Sequence, residues 1–468
     1  MKGKILICAY YFPPIGTPRS YRWQHFVTHL YPKGWMIDVL TINTYSNHPN
    51  YDSKLLDNLP TEVRIFRTYP GIMHHLSSLL LGKSKSNVIE STFTEPVLRE
   101  PEVLSVNSAR QSDNLQFTSP YTLVSLNQTI GKFLLKIFEK SLRTVFIPDE
   151  AVSWLPFALL KGKKLMKKNS YDVIISSGFP FTCHIAGYFL KSLSGGKPWI
   201  ADYGDPWVNN PSFALPKWRS FIDKEIESRI LNSVNKIIVN TDRTKEHYLN
   251  LYPFLKSENI KVITQGFSKE GFHEVSPEIT DKFRIVYTGI FYKDREPFIL
   301  FDALTNVKEI WKDLEVIIAG NITKDEYKHY AENKGLSEIV HFIGFVPQEK
   351  ALSLQKGASV LLLIGNRGGI QVPGKIYEYI ASKRPILSIT IDKYDIASTF
   401  VDRFKRGISV ENDSQKLSES IIYLYKLWKN KRLESEFNLE DVDEFCWDRL
   451  AEKLEETILE ATDSNKKN

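Results

Sequence analysis

The chain has 468 residues, 42% of them hydrophobic and 25% charged, with 61 Lys and Arg against 55 Asp and Glu. That length exceeds one ordinary core, and the composition excludes a largely disordered chain, so about two to four domains are expected. A net charge of +6 is too small to indicate a nucleic-acid binder but suits a protein that meets phosphate or anionic lipid.

The apolar run after Met1-Lys2-Gly3-Lys4 is too short for a signal peptide, and no stretch of about 18 uncharged apolar residues exists to cross a membrane. Cys8, Cys183 and Cys446 lie far apart and offer neither a disulfide framework nor a zinc spacing, which fits a reducing, cytoplasmic compartment. Strands are expected at 4–11, 35–42, 63–69, 171–177, 198–203, 236–241 and 261–264. A second series follows at 283–289, 314–320, 339–345, 358–364, 385–391 and 407–410. Most are near-continuous apolar runs separated by helix-length segments, the pattern of parallel strands covered on both faces. Two such series predict an α/β protein with two doubly wound domains.

The break falls in 268–282, which is polar, contains Gly271 and Pro277 and lacks an apolar period. The domains are therefore set at 1–272 and 275–440, with 441–468 left for a terminal helix. That helix should run from Asp448 to about Glu460, with Leu450, Leu454, Ile458 and Leu459 on one face. Residues 82–120 are rich in Ser, Asn, Glu and Pro and read as a loosely ordered insertion. Residues 131–144 set Phe133, Leu134, Ile137, Phe138 and Leu142 beside Lys132, Lys136, Lys140 and Arg143, and Lys161, Lys163, Lys164, Lys167 and Lys168 follow. Such a helix either packs on the core with a solvated basic face or lies on an anionic membrane.

The strongest local signal is at 358–383, where a buried strand runs into a Gly-rich loop and then a helix. Gly369-x4-Gly374-Lys375 approaches a phosphate-binding loop, but Ile376 stands where a magnesium-binding hydroxyl belongs and Pro373 removes an N–H. On pattern alone this is either an ordinary helix start or an anion site. Lys293 and Arg295 follow the first strand of the second domain beside Gly289, where such sheets bind ligands. As a pair they favour phosphate over two solvated loop charges. Asp205 either accepts a proton from a hydroxyl or caps the turn at Pro206, and His184 is either a structural or a catalytic histidine. His25 and His29 have i,i+4 spacing without an acidic partner and read as a plain helical face. No metal or cofactor is called for.

Val372-Pro373-Gly374-Lys375-Ile376-Tyr377-Glu378-Tyr379-Ile380, followed by Arg384-Pro385-Ile386-Leu387, resembles the nucleotide-sugar signature of glycosyltransferase family 4. Tyr10-Tyr11-Phe12-Pro13-Pro14-x-Gly16 with Arg22-Trp23, Pro198 through Trp207, and Phe445-x-Trp447 extend the resemblance along nearly the whole chain. It implies a GT-B fold, with two Rossmann-like domains facing a central cleft and the 441–468 helix packing back on the first domain, and sugar transfer from a nucleotide-diphosphate sugar as co-substrate. The acceptor would be a hydroxyl of a glycan, a lipid-linked molecule or a small molecule, with retention of configuration and no metal. The resemblance also implies that Glu378 binds the ribose, that Pro373, Gly374 and Lys375 meet the diphosphate, and that Gly16 approaches the donor from the other domain. Two positions depart from the family. Ile370 stands where a first glutamate is usual, and the region of Ser177 lacks the usual histidine. A GT-B epimerase or hydrolase and a non-catalytic nucleotide-sugar binder are therefore the rival readings. Asp441-Val442-Asp443 resembles the metal triplet of GT-A transferases but sits in a charged tail, not at a strand end.

Overall fold

The computed structural model describes residues 2–44, 48, 50–72, 144–210, 215–291, 295–320, 325–366, 369–370, 372–393, 395–440 and 442–466. The proposed insertion at 82–120 and residues 131–143 of the basic amphipathic segment lie outside them.

The first domain runs β1 (Gly3–Ala9), α1 (Pro18–Leu30), β2 (Trp35–Ile42), α2 (Lys54–Asp57), β3 (Arg64–Thr68), α3 (Leu155–Lys168), β4 (Val173–Gly178), α4 (Thr182–Leu193), β5 (Trp199–Tyr203), α5 (Lys217–Ser233), β6 (Lys236–Val239), α6 (Asp242–Leu251) and β7 (Ile260–Val262). The second runs α7 (Lys269–His273), β8 (Phe283–Thr288), α8 (Phe298–Thr305), β9 (Leu314–Ala319), α9 (Glu326–Asn333), β10 (Val340–Gly344), α10 (Gln348–Gly357), β11 (Val360–Ile364), α11 (Lys375–Ala381), β12 (Ile386–Thr390), α12 (Ile396–Arg403), β13 (Gly407–Glu411), α13 (Ser414–Lys429) and α14 (Leu433–Glu436), and α15 (Trp447–Lys466) ends the chain.

The sheets are ordered β3-β2-β1-β4-β5-β6-β7 and β10-β9-β8-β11-β12-β13, and all their strands are parallel. In each, the order reverses beside the first strand, at β1/β4 and at β8/β11. Ligands of doubly wound sheets bind outside the carboxyl ends of the strands at such points. Burial explains the continuous apolar runs. Leu6 and Cys8 of β1 pack with Ile174, Leu190 and Trp199 on one face, and Ile5 and Ile7 pack with Trp23 and Phe26 on the other. Each such side chain contributes about 1.5–3 kcal/mol when fully buried.

Residues 268–282 are more ordered than their polarity suggests. Ser268 Oγ accepts from the Gly271 N–H (3.3 Å) to cap α7, and Phe272 is buried among second-domain residues. Beside them the chain returns. Phe267 N–H donates to the Phe445 carbonyl and Trp447 N–H to the Phe267 carbonyl, both at 3.1 Å, so two connecting segments run together.

Helix α15 then packs on the first domain, with Leu450, Leu454 and Ile458 fully buried among Ile5, Ile7 and Trp23. Leu459, expected on that face, is 41% exposed, because one step of 100° carries it off the buried stripe. Glu455 adds a polar tie, accepting from Lys2 Nζ (2.7 Å) and Trp35 Nε1 (2.8 Å). Leu454→Ala should cost about 2–5 kcal/mol of first-domain stability in urea unfolding, as buried Leu truncations do. A loss under about 1 kcal/mol would mean that α15 is only loosely docked.

Candidate functional site

Two elements leaving the switch points face one another. Helix α1 follows β1 after the loop containing Gly16, and α11 follows β11 after the loop containing Gly369 and Gly374. Tyr21 on α1 lies in the field of Lys375 and Glu378. Burial pushes its phenol up, Asp52 and Glu378 add to this, and Lys375 opposes it. The hydroxyls of Thr241 and Thr244, at the start of α6, stand 3.2 and 3.1 Å from the Ile370 carbonyl. The Gly-rich loop of the second domain therefore touches the first domain directly.

On the second-domain side Glu378 is held in place. Its Oε2 accepts from Lys375 Nζ (3.0 Å) and Gln355 Nε2 (3.2 Å). Gln355 Nε2 also donates to Thr288 Oγ1 (2.9 Å) at the end of β8, and its Oε1 accepts from Ser382 Oγ (3.1 Å). The Lys375 ammonium is stabilised: burial works against it, but the charge and hydrogen bond of Glu378 raise its pKa. Pro373 is buried, whereas Gly374 is exposed with open space where a side chain would begin. Helix α11 has seven residues, so its dipole is short and attraction for an anion must come mainly from side chains.

Gly289 adopts φ +147°, a glycine conformation, and donates to the Ala319 carbonyl (2.8 Å), fixing the turn after β8. Arg295 is half-buried just beyond that turn, and Lys293 lies outside the described residues.

On the first-domain side, Gly16 N–H donates to the Asn50 carbonyl (2.7 Å), and Thr17 caps α1 by accepting from the Ser20 N–H (3.3 Å). Asp205 is half-buried in the turn after β5, before Pro206. His184 is completely buried. Its Nδ1 lies 2.8 Å from Ser176 Oγ, its ring sits 4.1 Å from that of Tyr203, and a side chain at Gly178 would come within 2.5 Å of Nε2. Burial, aided by Arg19, pushes its pKa down to about 3, so it is a neutral ring sealed from substrate. Of the two readings of His184, this burial favours the structural one. His25 stacks on Trp447 with ring centroids 4.9 Å apart, which agrees with a packed helical face. Among the described residues no three His, Cys, Asp or Glu side chains cluster as a metal site, and Asp443 pairs with Lys269 (2.6 Å).

Sequence reasoning missed Arg19 and the roles of Arg22 and Asp202. Both guanidiniums reach the buried Asp202 carboxylate, Arg19 Nη2 at 2.5 Å and Arg22 Nε at 3.1 Å. Burial opposes ionisation of Asp202, but Arg19 and Arg22 outweigh it and hold its pKa low. A signal was present, because a cation in the first turn of a helix opposes the dipole.

The loop after β5 is braced from below. Buried Glu227 accepts from Tyr248 Oη (2.8 Å), Tyr252 Oη (2.6 Å) and the Val208 N–H (3.3 Å). Burial pushes its pKa up to about 7 from an ordinary 4.5. The folded state therefore holds this proton more tightly than the unfolded chain, and Glu227 makes stability fall as pH rises from 4.5 through about 7. At about 1.4 kcal/mol per pKa unit, the full effect approaches roughly 3 kcal/mol. Glu227→Gln should gain stability relative to the parent between pH 5 and pH 8.5. Parallel unfolding curves for the two proteins at both pH values would refute the assignment.

Residues 268–436 match the sequence model of the family described as glycosyl transferases group 1. No curated protein matches the chain. Among solved structures, a glycosyltransferase from Rickettsia africae is similar with a TM-score of 0.60 and 14% identity, covering 98% of each chain. HepE from Anabaena, in complex with UDP and glucose, gives 0.60 and 13%, covering 98% of this chain and 100% of that one. TarM from S. aureus, with fondaparinux, alpha-GlcNAc-glycerol and UDP, gives 0.58 and 12%, covering 97% and 99%. Two parallel Rossmann-like sheets in this order, with the group 1 match across the second of them, make this a GT-B glycosyltransferase fold.

Proposed function

We propose that the chain is a family 4-like glycosyltransferase that moves a sugar from a nucleotide-diphosphate donor to an acceptor hydroxyl. The observation that carries this is Glu378, a carboxylate oriented by Lys375 and Gln355 beside the second-domain switch point and facing α1 across the cleft. Both donors use Oε2, so Oε1 is the oxygen that would accept from a ribose diol. Lys375 and Arg295 then neutralise the charge that builds on the departing phosphate, a task well met by fixed cations. UDP in the HepE and TarM complexes supports a uridine nucleotide as the first donor to try.

Retention without a metal remains part of this reading, with the donor phosphate oxygen helping to deprotonate the acceptor on the same face and Asp205 close enough in the chain to the strand end to assist. A chelator should then leave turnover unchanged. Contact with an anionic membrane also belongs to the reading and is supported by α3, which carries five lysines and no acidic residue.

A panel of nucleotide sugars in thermal unfolding tests the proposal. A donor at 100 times its Kd should stabilise the fold by about 2.7 kcal/mol. If no nucleotide sugar stabilises the protein, the reading fails. If the donor is cleaved to free sugar or an epimer whatever the acceptor, the chain is a hydrolase or epimerase, not a transferase.

A further inference from the structure

Arg19 is the second residue of α1 and is 9% exposed. Its Nη2 donates to Ser177 Oγ (3.2 Å), the Asp202 carbonyl (2.8 Å) and Asp202 Oδ2 (2.5 Å). Its Nε and Nη1 are buried and have no partner among the described residues. The Asp202 carboxylate cannot supply one, because it is shared. Arg22 Nε reaches Oδ2 (3.1 Å) and Arg22 Nη2 reaches Oδ1 (3.2 Å). Arg22 also donates to the carbonyls of Thr264 and Ile263. Two guanidiniums on one carboxylate leave one buried positive charge uncompensated by that carboxylate, and α1 has no acidic residue in its first turn. Such an arrangement is costly without an anion. Arg22 reflects the excess: burial lowers its pKa and Arg19 lowers it further, against the pull of Asp202.

The position suits a ligand. Arg19 lies where the carboxyl ends of β4 and β5 meet the amino end of α1, and a side chain at Gly204 would come within 2.6 Å of Nη1. Tyr21, two residues after Arg19, already senses Lys375 and Glu378 of the other domain. A thirteen-residue helix offers its positive end to an anion at the same place as the unpaired guanidinium N–H groups.

We propose that the amino end of α1, with Arg19 Nε or Nη1 as donor, is a site for a phosphate group. The two unpartnered N–H groups lie on different edges of the guanidinium plane, so a phosphate oxygen meets one of them as a charge-assisted hydrogen bond in a fixed direction, which a freely rotating lysine ammonium does not offer. The phosphate comes either from the donor's diphosphate or from a phosphorylated acceptor, and only this choice of sources rests on the glycosyltransferase reading.

Calorimetry on the full chain tests it with inorganic phosphate, pyrophosphate and UDP as probes. Arg19→Gln should lose at least tenfold in affinity for phosphate or pyrophosphate. If UDP displaces the bound probe and binds the variant more weakly, the source is the donor diphosphate. If phosphate still binds the UDP-saturated parent and that binding disappears in the variant, the source is the acceptor. Both results sustain the site. Arg22 remains to pair Asp202, so the variant should fold. Arg19→Lys, which keeps the charge, provides a second reading should Arg19→Gln unfold, and it should bind several-fold more weakly at an unchanged Tm. Parent-like anion affinity in either folded variant, or no anion binding by the parent, overturns the proposal. A chain that binds phosphate through Arg19 but no nucleotide sugar would sink the donor reading and leave this one standing.

Discussion

Removing the ammonium of Lys375 should lower kcat about 10- to 100-fold at saturating donor, and removing the guanidinium of Arg295 should do the same. Charge-assisted contacts are worth about 1.5–3 kcal/mol each, which is one to two orders of magnitude in rate. The effect should fall on turnover more than on ground-state binding, because these cations attract the phosphate more strongly as its charge grows. Lys375 has a second function that alanine also removes, since its Nζ holds Glu378 Oε2 at 3.0 Å. Lys375→Ala should therefore raise the donor Kd slightly as well, whereas Arg295→Ala should leave Glu378 undisturbed. If the two cations share one phosphate, the double variant should lose less than the product of the single losses. Steady-state kinetics at saturating donor settles this. If both single variants transfer sugar at the parent rate, the diphosphate lies elsewhere and the Gly-rich loop is only the start of α11.

The two-sheet architecture was legible because strands buried on both faces leave continuous apolar runs, and all thirteen runs of the sequence became strands β1 to β13. The strand, Gly-rich loop and helix that carry Lys375 were legible because they are contiguous, and Glu378 was singled out by the resemblance. The partnerships around these residues were not legible. Asp202 meets Arg19 across 183 positions and Arg22 across 180, and the Ile370 carbonyl meets Thr241 across 129. Periodicity reports which face of an element is apolar but not what covers it, so α15 was visible as an amphipathic helix while its docking on the first domain rested on resemblance. His184 illustrates the same limit. An isolated histidine at a helix start reads as either structural or catalytic, and what separates the two is the packing of Gly178 and Tyr203 against its ring, which the sequence does not display. The Ile370 departure has a partial physical account, since that position is tied to the first domain through its main chain, which does not depend on the side chain.

Glu378→Ala should weaken nucleotide binding by about 10- to 100-fold while leaving the fold intact. A carboxylate accepting from both hydroxyls of a vicinal diol makes two charge-assisted hydrogen bonds, and losing them costs about 1.5–3 kcal/mol or more. The fold should survive because the side chain is partly exposed, and its partners Lys375 and Gln355 retain water or Thr288 as alternatives. Glu378→Gln separates charge from shape, because the amide keeps one acceptor oxygen but turns a donor toward the diol or toward Lys375. It should fall between parent and alanine. The ribose itself gives a sharper test. The parent should bind a 2′-deoxyribose nucleotide more weakly than the ribose form, and Glu378→Ala should bind both alike, because the missing hydroxyl and the missing carboxylate belong to one contact. A purely structural Glu378 would lower both affinities in parallel and keep the discrimination. Calorimetry with the two nucleotides on the two proteins distinguishes these outcomes, and unchanged ribonucleotide affinity in the alanine variant removes Glu378 from the site.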